Sequence, residues 1–192
     1  MPVRPGVALF FVCLLPTLAS CQVPSGNVFL GYSGYGRGPI SSFSESGLQL
    51  MNGWEASAEG KVVPLLGIVG EVSQYFAPSP HCVVPAAVPV SGGTSYCGSL
   101  ITDEENLLFG PRASASLGGV RPFGEALVGV AHAAASFGGG FDTSLAMAVG
   151  GGIDLSLDHQ FAWRLQGDFV QTRLFGGAQN GFRISTGVVL RF

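Results

Sequence analysis

Phe161-Ala162-Trp163-Arg164-Leu165-Gln166-Gly167-Asp168-Phe169 changes character at almost every step. Phe161, Trp163, Leu165 and Phe169 form one row, while Arg164, Gln166 and Asp168 form the other. A period of two is the strand period, because successive side chains on a pleated backbone point to opposite faces. A helix would scatter the same residues around its circumference, leaving neither face apolar. One row is large and greasy and the other carries charge, so this strand separates an apolar medium from a polar one.

The same alternation recurs in Trp54-Glu55-Ala56-Ser57-Ala58-Glu59-Gly60-Lys61-Val62. It recurs again at the C-terminus, where Phe182, Ile184, Thr186, Val188, Leu190 and Phe192 face one way and Arg183, Ser185, Gly187, Val189 and Arg191 the other. Five weaker segments, 28–35, 65–76, 105–115, 120–133 and 143–155, fit the same template and bring the expected count to eight strands. Pro111 and Pro122 lack a ladder donor, so each is expected to mark a bulge or a strand start. Long connections are expected at 36–51 and 77–104, with tight turns at 63–64, 116–119 and 156–160. The later connections, 134–142 and 174–181, are intermediate and glycine-rich.

Composition says which medium the apolar rows meet. Of 192 residues, 47% are hydrophobic and 11% charged, with 30 glycines and a mean hydropathy of +0.43. That is greasier than an ordinary soluble domain, yet beyond residue 20 no uninterrupted apolar run reaches the roughly 18 residues of a spanning helix. Only helices and closed barrels satisfy their backbone polar groups inside lipid. The sequence therefore predicts an all-β fold: a closed, antiparallel, up-and-down transmembrane barrel of eight strands. A signal-peptide helix is expected to precede it. The net charge of −3 and the absence of a basic stripe argue against nucleic acid as a partner.

In this register Glu55, Glu59, Glu71, Glu125, Asp154 and Asp168 face inward, together with Lys61, Arg112, Arg164, Arg183 and Arg191. An eight-stranded barrel is narrow enough for side chains to fill. Acids and bases of nearly equal number are expected to pair there, because an unpaired buried charge is costly. Trp54, Phe109, Phe161, Trp163, Phe169 and Phe192 fall on the outward face, where interfacial aromatics anchor a barrel in lipid.

The first residues read as an export signal. Arg4 is the positive start, 7–15 the apolar core, and Thr17-Leu18-Ala19-Ser20-Cys21 the small-residue exit. The expected division is a signal peptide at 1–21 and a barrel domain at 22–192. Leu18-Ala19-Ser20-Cys21 also resembles a bacterial lipobox, so cleavage after Cys21 and lipidation of Cys21 are both open. Cys82 and Cys97 flank a Pro/Gly/Ser-rich stretch in an exported chain, where a loop disulfide is the natural inference. Closing a loop of that length restricts the unfolded chain by about 3 kcal/mol. Two free thiols are the alternative, and zinc is disfavoured because His81 is the nearest nitrogen ligand.

The last residues, Ser185-Thr186-Gly187-Val188-Val189-Leu190-Arg191-Phe192, resemble the C-terminal β-signal of bacterial outer-membrane proteins, with Ser185, Gly187, Leu190 and Phe192 at the characteristic places. Nearly the whole mature chain is similar to the small outer-membrane barrels related to the transmembrane domain of outer membrane protein A. The resemblance implies a bacterial outer-membrane location, contact with membrane lipid and lipopolysaccharide, and handling by the barrel-assembly machinery. No peptidoglycan-binding domain is expected after the barrel, so a wall-tethering role is not implied.

Chemistry is sparse. The glycine clusters at 34–38 and 150–152 open no helix of a βαβ unit, so they do not read as phosphate loops. His81, His132 and His159 share no metal spacing, and no cofactor is expected. His132, Ser136, Glu125 and Asp142 form the one constellation resembling a lipid A-modifying hydrolase or acyltransferase. Such a site needs nucleophile, base and carboxylate in hydrogen-bond contact, whereas Glu125 is expected inside the barrel. The leading expectation is a non-enzymatic scaffold with a filled lumen and displayed loops. A narrow porin-like channel for small solutes or ions comes second and a lipid A-modifying enzyme third. An extracellular partner of the loops is left unnamed.

Overall fold

The computed structural model describes residues 25–37, 49–77, 101–135 and 140–192. The segment expected to be an export signal, Cys21, Cys82, Cys97, His81 and Ser136 lie outside the described residues. Eight strands form: β1 (Gly26–Arg37), β2 (Gln49–Val63), β3 (Leu66–Phe76), β4 (Ile101–Ser114), β5 (Val120–Ala135), β6 (Gly140–Ser156), β7 (Phe161–Thr172) and β8 (Gln179–Arg191). Each pairs antiparallel with its sequence neighbours, and β8 closes on β1 to make a barrel. Closure leaves no unpaired edge, which is what allows a sheet to stand in an apolar medium.

The eight expected segments are the eight observed strands, generally longer than the alternation indicated. β2 starts at Gln49 rather than Trp54. Met51 is buried while Leu50 and Asn52 are exposed, but the glycine and asparagine of this stretch blur the hydropathy contrast. Pro122 stands two residues into β5, at a strand start. Pro111 corrects the expectation, since it neither bulges nor begins a strand. The β4–β5 ladder omits it, and its register continues unchanged from Phe109↔Val128 to Arg112↔Glu125. Its partner on the other side, Ile68, keeps register; one missing N–H removes a ladder bond without shifting the strand. The irregularities occur near strand ends, at Lys61/Val63 and Ile101/Asp103, where bulges commonly end pairing.

Tight connections (64–65, 115–119 and 157–160) gather at the end where Gly26 and Phe192 exchange backbone hydrogen bonds of 3.0 and 3.1 Å. At the other end lie Arg37, Gln49, Phe76, Ile101, Ala135 and Gly140, and a 3-10 turn at Leu174–Gly176 that the strand pattern did not foresee. Register partners lead from Tyr35 through Arg183, Asp168, Gly150, Glu125, Arg112, Gly67 and Lys61 around the barrel. The Lys61 amide donates to the Ser25 carbonyl, so the circuit returns to β1 ten residues below Tyr35 (35 minus 25). Such stagger tilts strands by about 35–45° and leaves an interior that side chains fill.

The outer wall is apolar. Leu30, Leu107, Phe109, Val149 and Ile184 are all more than half exposed, and Trp54, Phe161, Trp163, Phe169 and Phe192 are exposed with them. Along the outward row of β8 and the residue that follows it, Phe182 and Phe192 are ten residues apart (192 minus 182). That is about 34 Å along the strand and roughly 26 Å once tilted, close to the ~25 Å apolar band of a membrane barrel.

Glycine relieves the lumen where side chains cross it. A β-carbon on Gly67 would press on the Glu59 side chain, whereas one on Gly70, on the outer wall, would meet nothing within 4 Å. Gly67→Leu is therefore expected to lower the urea midpoint, at a cost of about 1–3 kcal/mol for overpacking. Gly70→Leu should leave it in place, and equal midpoints for the two variants would refute the crowding.

Candidate functional site

The inward rows of the strands meet in a layered polar core. At its centre Arg183 of β8 donates to both oxygens of Glu71 on β3, with Nη2 at 3.0 Å from Oε2. It also donates to Asp168 on β7 through Nε at 2.9 Å and Nη2 at 2.7 Å, and lies 3.5 Å from Glu55 on β2. Ser185 donates to Glu55 at 2.6 Å. Gln166 reaches Glu125 and Asp168 at 2.9 Å each and Glu55 at 3.3 Å. These contacts tie β2, β3, β5, β7 and β8 together across the lumen, and every side chain in them is buried.

Toward the tight-turn end lies a second cluster. Arg112 bridges Glu125 at 2.6 Å and Glu59 at 3.5 Å, and Lys61 lies 2.6 Å from Glu59. Arg164 donates to Asp154 at 2.7 and 3.0 Å, and Arg191 approaches Asp154 at 3.7 Å. Asn27 donates to Glu59 at 2.7 Å. The guanidiniums of Arg112 and Arg164 lie 4.6 and 4.5 Å from the Phe123 ring centroid, and Arg164 also covers Phe29 at 5.0 Å. Cation–π contact of this kind replaces part of the hydration a buried guanidinium gives up. All the lumen charges named from the sequence, Glu55, Glu59, Lys61, Glu71, Arg112, Glu125, Asp154, Arg164, Asp168 and Arg183, are thus brought into ion pairs or hydrogen bonds with one another or with their polar neighbours.

Toward the opposite end one buried pair was missed, Arg37 of β1 with Glu104 of β4. Extending the alternation by two residues in β1 would have found Arg37, which shares the inward row with Ser33 and Tyr35. Below this pair the Tyr35 and Tyr75 rings lie 5.1 Å apart. The facing wall is small and apolar, made of Ala131, Ala133, Ala146 and Ala148, and belongs to the same buried cluster as Leu174 from the 3-10 turn. This apolar cluster and the two polar clusters follow one another along the lumen.

Outside the barrel a ring of polar side chains stands toward the same end, with exposed Leu50, Phe76 and Phe141 two residues nearer the rim than Asn52, Gln74 and Thr143. Tyr32 donates to Asn52, Gln74 to Glu105 at 3.2 Å, and Gln171 to Asn180 at 3.1 Å, while His132 Nδ1 and Thr143 Oγ1 lie 2.7 Å apart. Every strand contributes one member.

Of the hydrolase-like constellation, His132 is in this exposed ring and Glu125 is buried in the lumen with Arg112 and Gln166. Asp142 accepts the Thr143 and Phe175 amides. The structure therefore does not join His132 to Glu125. Among the described residues no three His, Cys, Asp or Glu side chains are grouped to hold a metal. Of the residues whose pattern resembles a β-signal, Ser185, Gly187 and Leu190 lie on β8 and Phe192 directly follows it, with Ser185 in the lumen and Leu190 and Phe192 on the outer wall.

Neither a protein-family model nor a curated protein matches the sequence. Solved structures do. Neisserial surface protein A aligns with a TM-score of 0.59 at 14% identity, over 87% of this chain and 97% of its own. The attachment invasion locus protein Ail of Yersinia pestis aligns at 0.54 and 14% identity, over 88% of this chain and 99% of its own. At such identity the likeness establishes that the chain has the fold of these small eight-stranded β-barrels.

Proposed function

We propose that the chain is a bacterial outer-membrane barrel that serves as a closed scaffold displaying surface for interaction, rather than as a pore or an enzyme. The observation that carries this reading is the buried Arg183 cluster, which crosses the lumen from β8 to β2, β3 and β7 while the outside is apolar over the height of a membrane. A soluble carrier would need the reverse arrangement. Loops and rims on a rigid barrel are where recognition residues are commonly placed.

Charge narrows the partner. Ail has been crystallised with the heparin analogue sucrose octasulfate. In this chain residues 77–100 contain no Asp, Glu, Lys or Arg, and 38–48 contain only Glu45. Asp103 and Asp142 add negative charge at this end and Arg173 is its one exposed described cation. That balance disfavours a polyanion.

Fractionation of cells expressing the full chain, followed by detergent gels of heated and unheated samples, tests the location and closure. The expected result is an outer-membrane protein whose folded form migrates differently from its heated form. Planar-bilayer recordings are expected to show no steady conductance; a sustained current would replace the scaffold with a narrow channel. A soluble periplasmic protein without a heat shift would remove the membrane reading altogether.

A further inference from the structure

Phe141 is 78% exposed, more than any other large apolar side chain among the described residues. It belongs to the outward row of β6, pairs with Ala134 in the β5–β6 ladder, and lies two residues nearer the rim than Thr143. Its ring is stacked on His132, with centroids 5.8 Å apart and planes 9° from parallel. The two rings make a flat surface beside the barrel, not over its mouth.

A second aromatic residue, tethered by its amide to the neighbour of Phe141, is held against its own backbone preference. Phe175 has φ of 54°, the only positive φ at a non-glycine residue in the described chain, and is exposed. A bulky residue in the left-handed region is strained, and such strain collects where a side chain must be placed for function. Three tethers impose it. The Phe175 amide donates to Asp142, the residue after Phe141. The Arg173 amide donates to Ser144 at 3.2 Å, and Leu174 between them is fully buried in the alanine-lined recess. The fold thus spends backbone strain to place an aromatic ring on the rim where an aromatic surface already stands.

We infer that Phe141, Phe175 and His132 form a docking platform for the sugar headgroup of an outer-leaflet glycolipid. The aromatic face is electron-rich and meets the C–H face of a hexose ring. Around it stand hydroxyl and carboxylate groups able to take sugar hydroxyls: Thr143 and Glu105, which pair with His132 on its two sides, and Asp142 next to Phe141. Phosphate is the poorer fit, since Arg173 stands alone among these acids. The outward placement and continuity with the lipid-facing wall favour a headgroup lying alongside the barrel over a free saccharide arriving from above.

The inference rests on the membrane reading, and the test separates the two. The full chain is folded into phosphatidylcholine vesicles containing a minor fraction of digalactosyldiacylglycerol, an uncharged sugar lipid, then extracted in detergent and assayed for retained glycolipid. Retention by the parent chain is expected to fall by about threefold to tenfold in Phe141→Ala and in Phe175→Gly, the scale of one or two lost ring contacts. Phe175→Gly keeps the left-handed backbone, so its loss would report the ring and not the turn. Free digalactose is expected not to compete. Equal retention by parent and variants, all showing the heat shift, would overturn the platform while leaving the membrane barrel intact. Competition by free digalactose would assign the surface to soluble glycans, and a cross-linked dimer abolished by Phe141→Ala would assign it to self-association; either result overturns the inference. Absence of the heat shift in vesicles would sink both readings together.

Discussion

Arg183→Ala is expected to unfold the barrel at a much lower urea concentration than the parent chain. Arg183 is buried, donates to Glu71 and Asp168, and lies 3.5 Å from Glu55. Removing it leaves three buried carboxylates facing one another, with Gln166 and Ser185 as the remaining donors. Breaking a buried pair by deleting one partner typically costs about 3–5 kcal/mol, a large part of the ~5–15 kcal/mol that holds a folded domain. Arg191 supplies the contrast. It is partly exposed and touches Asp154 at 3.7 Å, so Arg191→Ala should cost at most about 1 kcal/mol, as exposed pairs do. Urea titrations in lipid vesicles, followed by the fluorescence of Trp54 and Trp163, would measure both. Combining Arg183→Met with Glu71→Gln and Asp168→Asn should recover much of the loss, because the cost lies in uncompensated charge and not in the absence of arginine. A midpoint for Arg183→Ala equal to that of Arg191→Ala would refute the central role of the cluster.

The second large effect comes from the outer wall. Leu30 lies midway along β1, 62% exposed, with Ala56 and Val188 beside it in the flanking strands. In water Leu30→Arg would be nearly neutral or favourable. At the middle of a bilayer it is expected to cost about 2–4 kcal/mol. Gln171, in the polar ring, should tolerate the same substitution at about 0–1 kcal/mol, the value for an interfacial position. Because both sites lie outside the lumen, the difference between the two midpoints reports the medium around the barrel. Equal midpoints in vesicles would mean that the apolar wall does not face hydrocarbon.

Strand number and facing were legible because both are local. Phe161 to Phe169 alternates within nine residues, and nothing distant is needed to place Arg164 inside and Trp163 outside. The errors fall where local contrast fades or a backbone exception intervenes: glycine and asparagine at the start of β2, Arg37 inside a glycine-rich run, and Pro111 where a lost donor did not become a bulge. Leu174 was read as part of a glycine-rich loop, because a single residue carries no periodicity. Its burial depends on four alanines contributed by β5 and β6, each of which alone reads as an ordinary small strand residue.

By itself the sequence determined the all-β class, the eight strands, the inward set of charges and the apolar outer rows. The pleat alternates side chains at every residue whatever the partner strand may be, and lipid and lumen sort them by polarity. Tertiary structure alone decided which acid meets which base, the ten-residue stagger, the polar ring and the aromatic rim. Those depend on cross-barrel separations and on inter-strand register. Both are fixed only when β8 closes on β1, a condition on the whole chain that no local period contains.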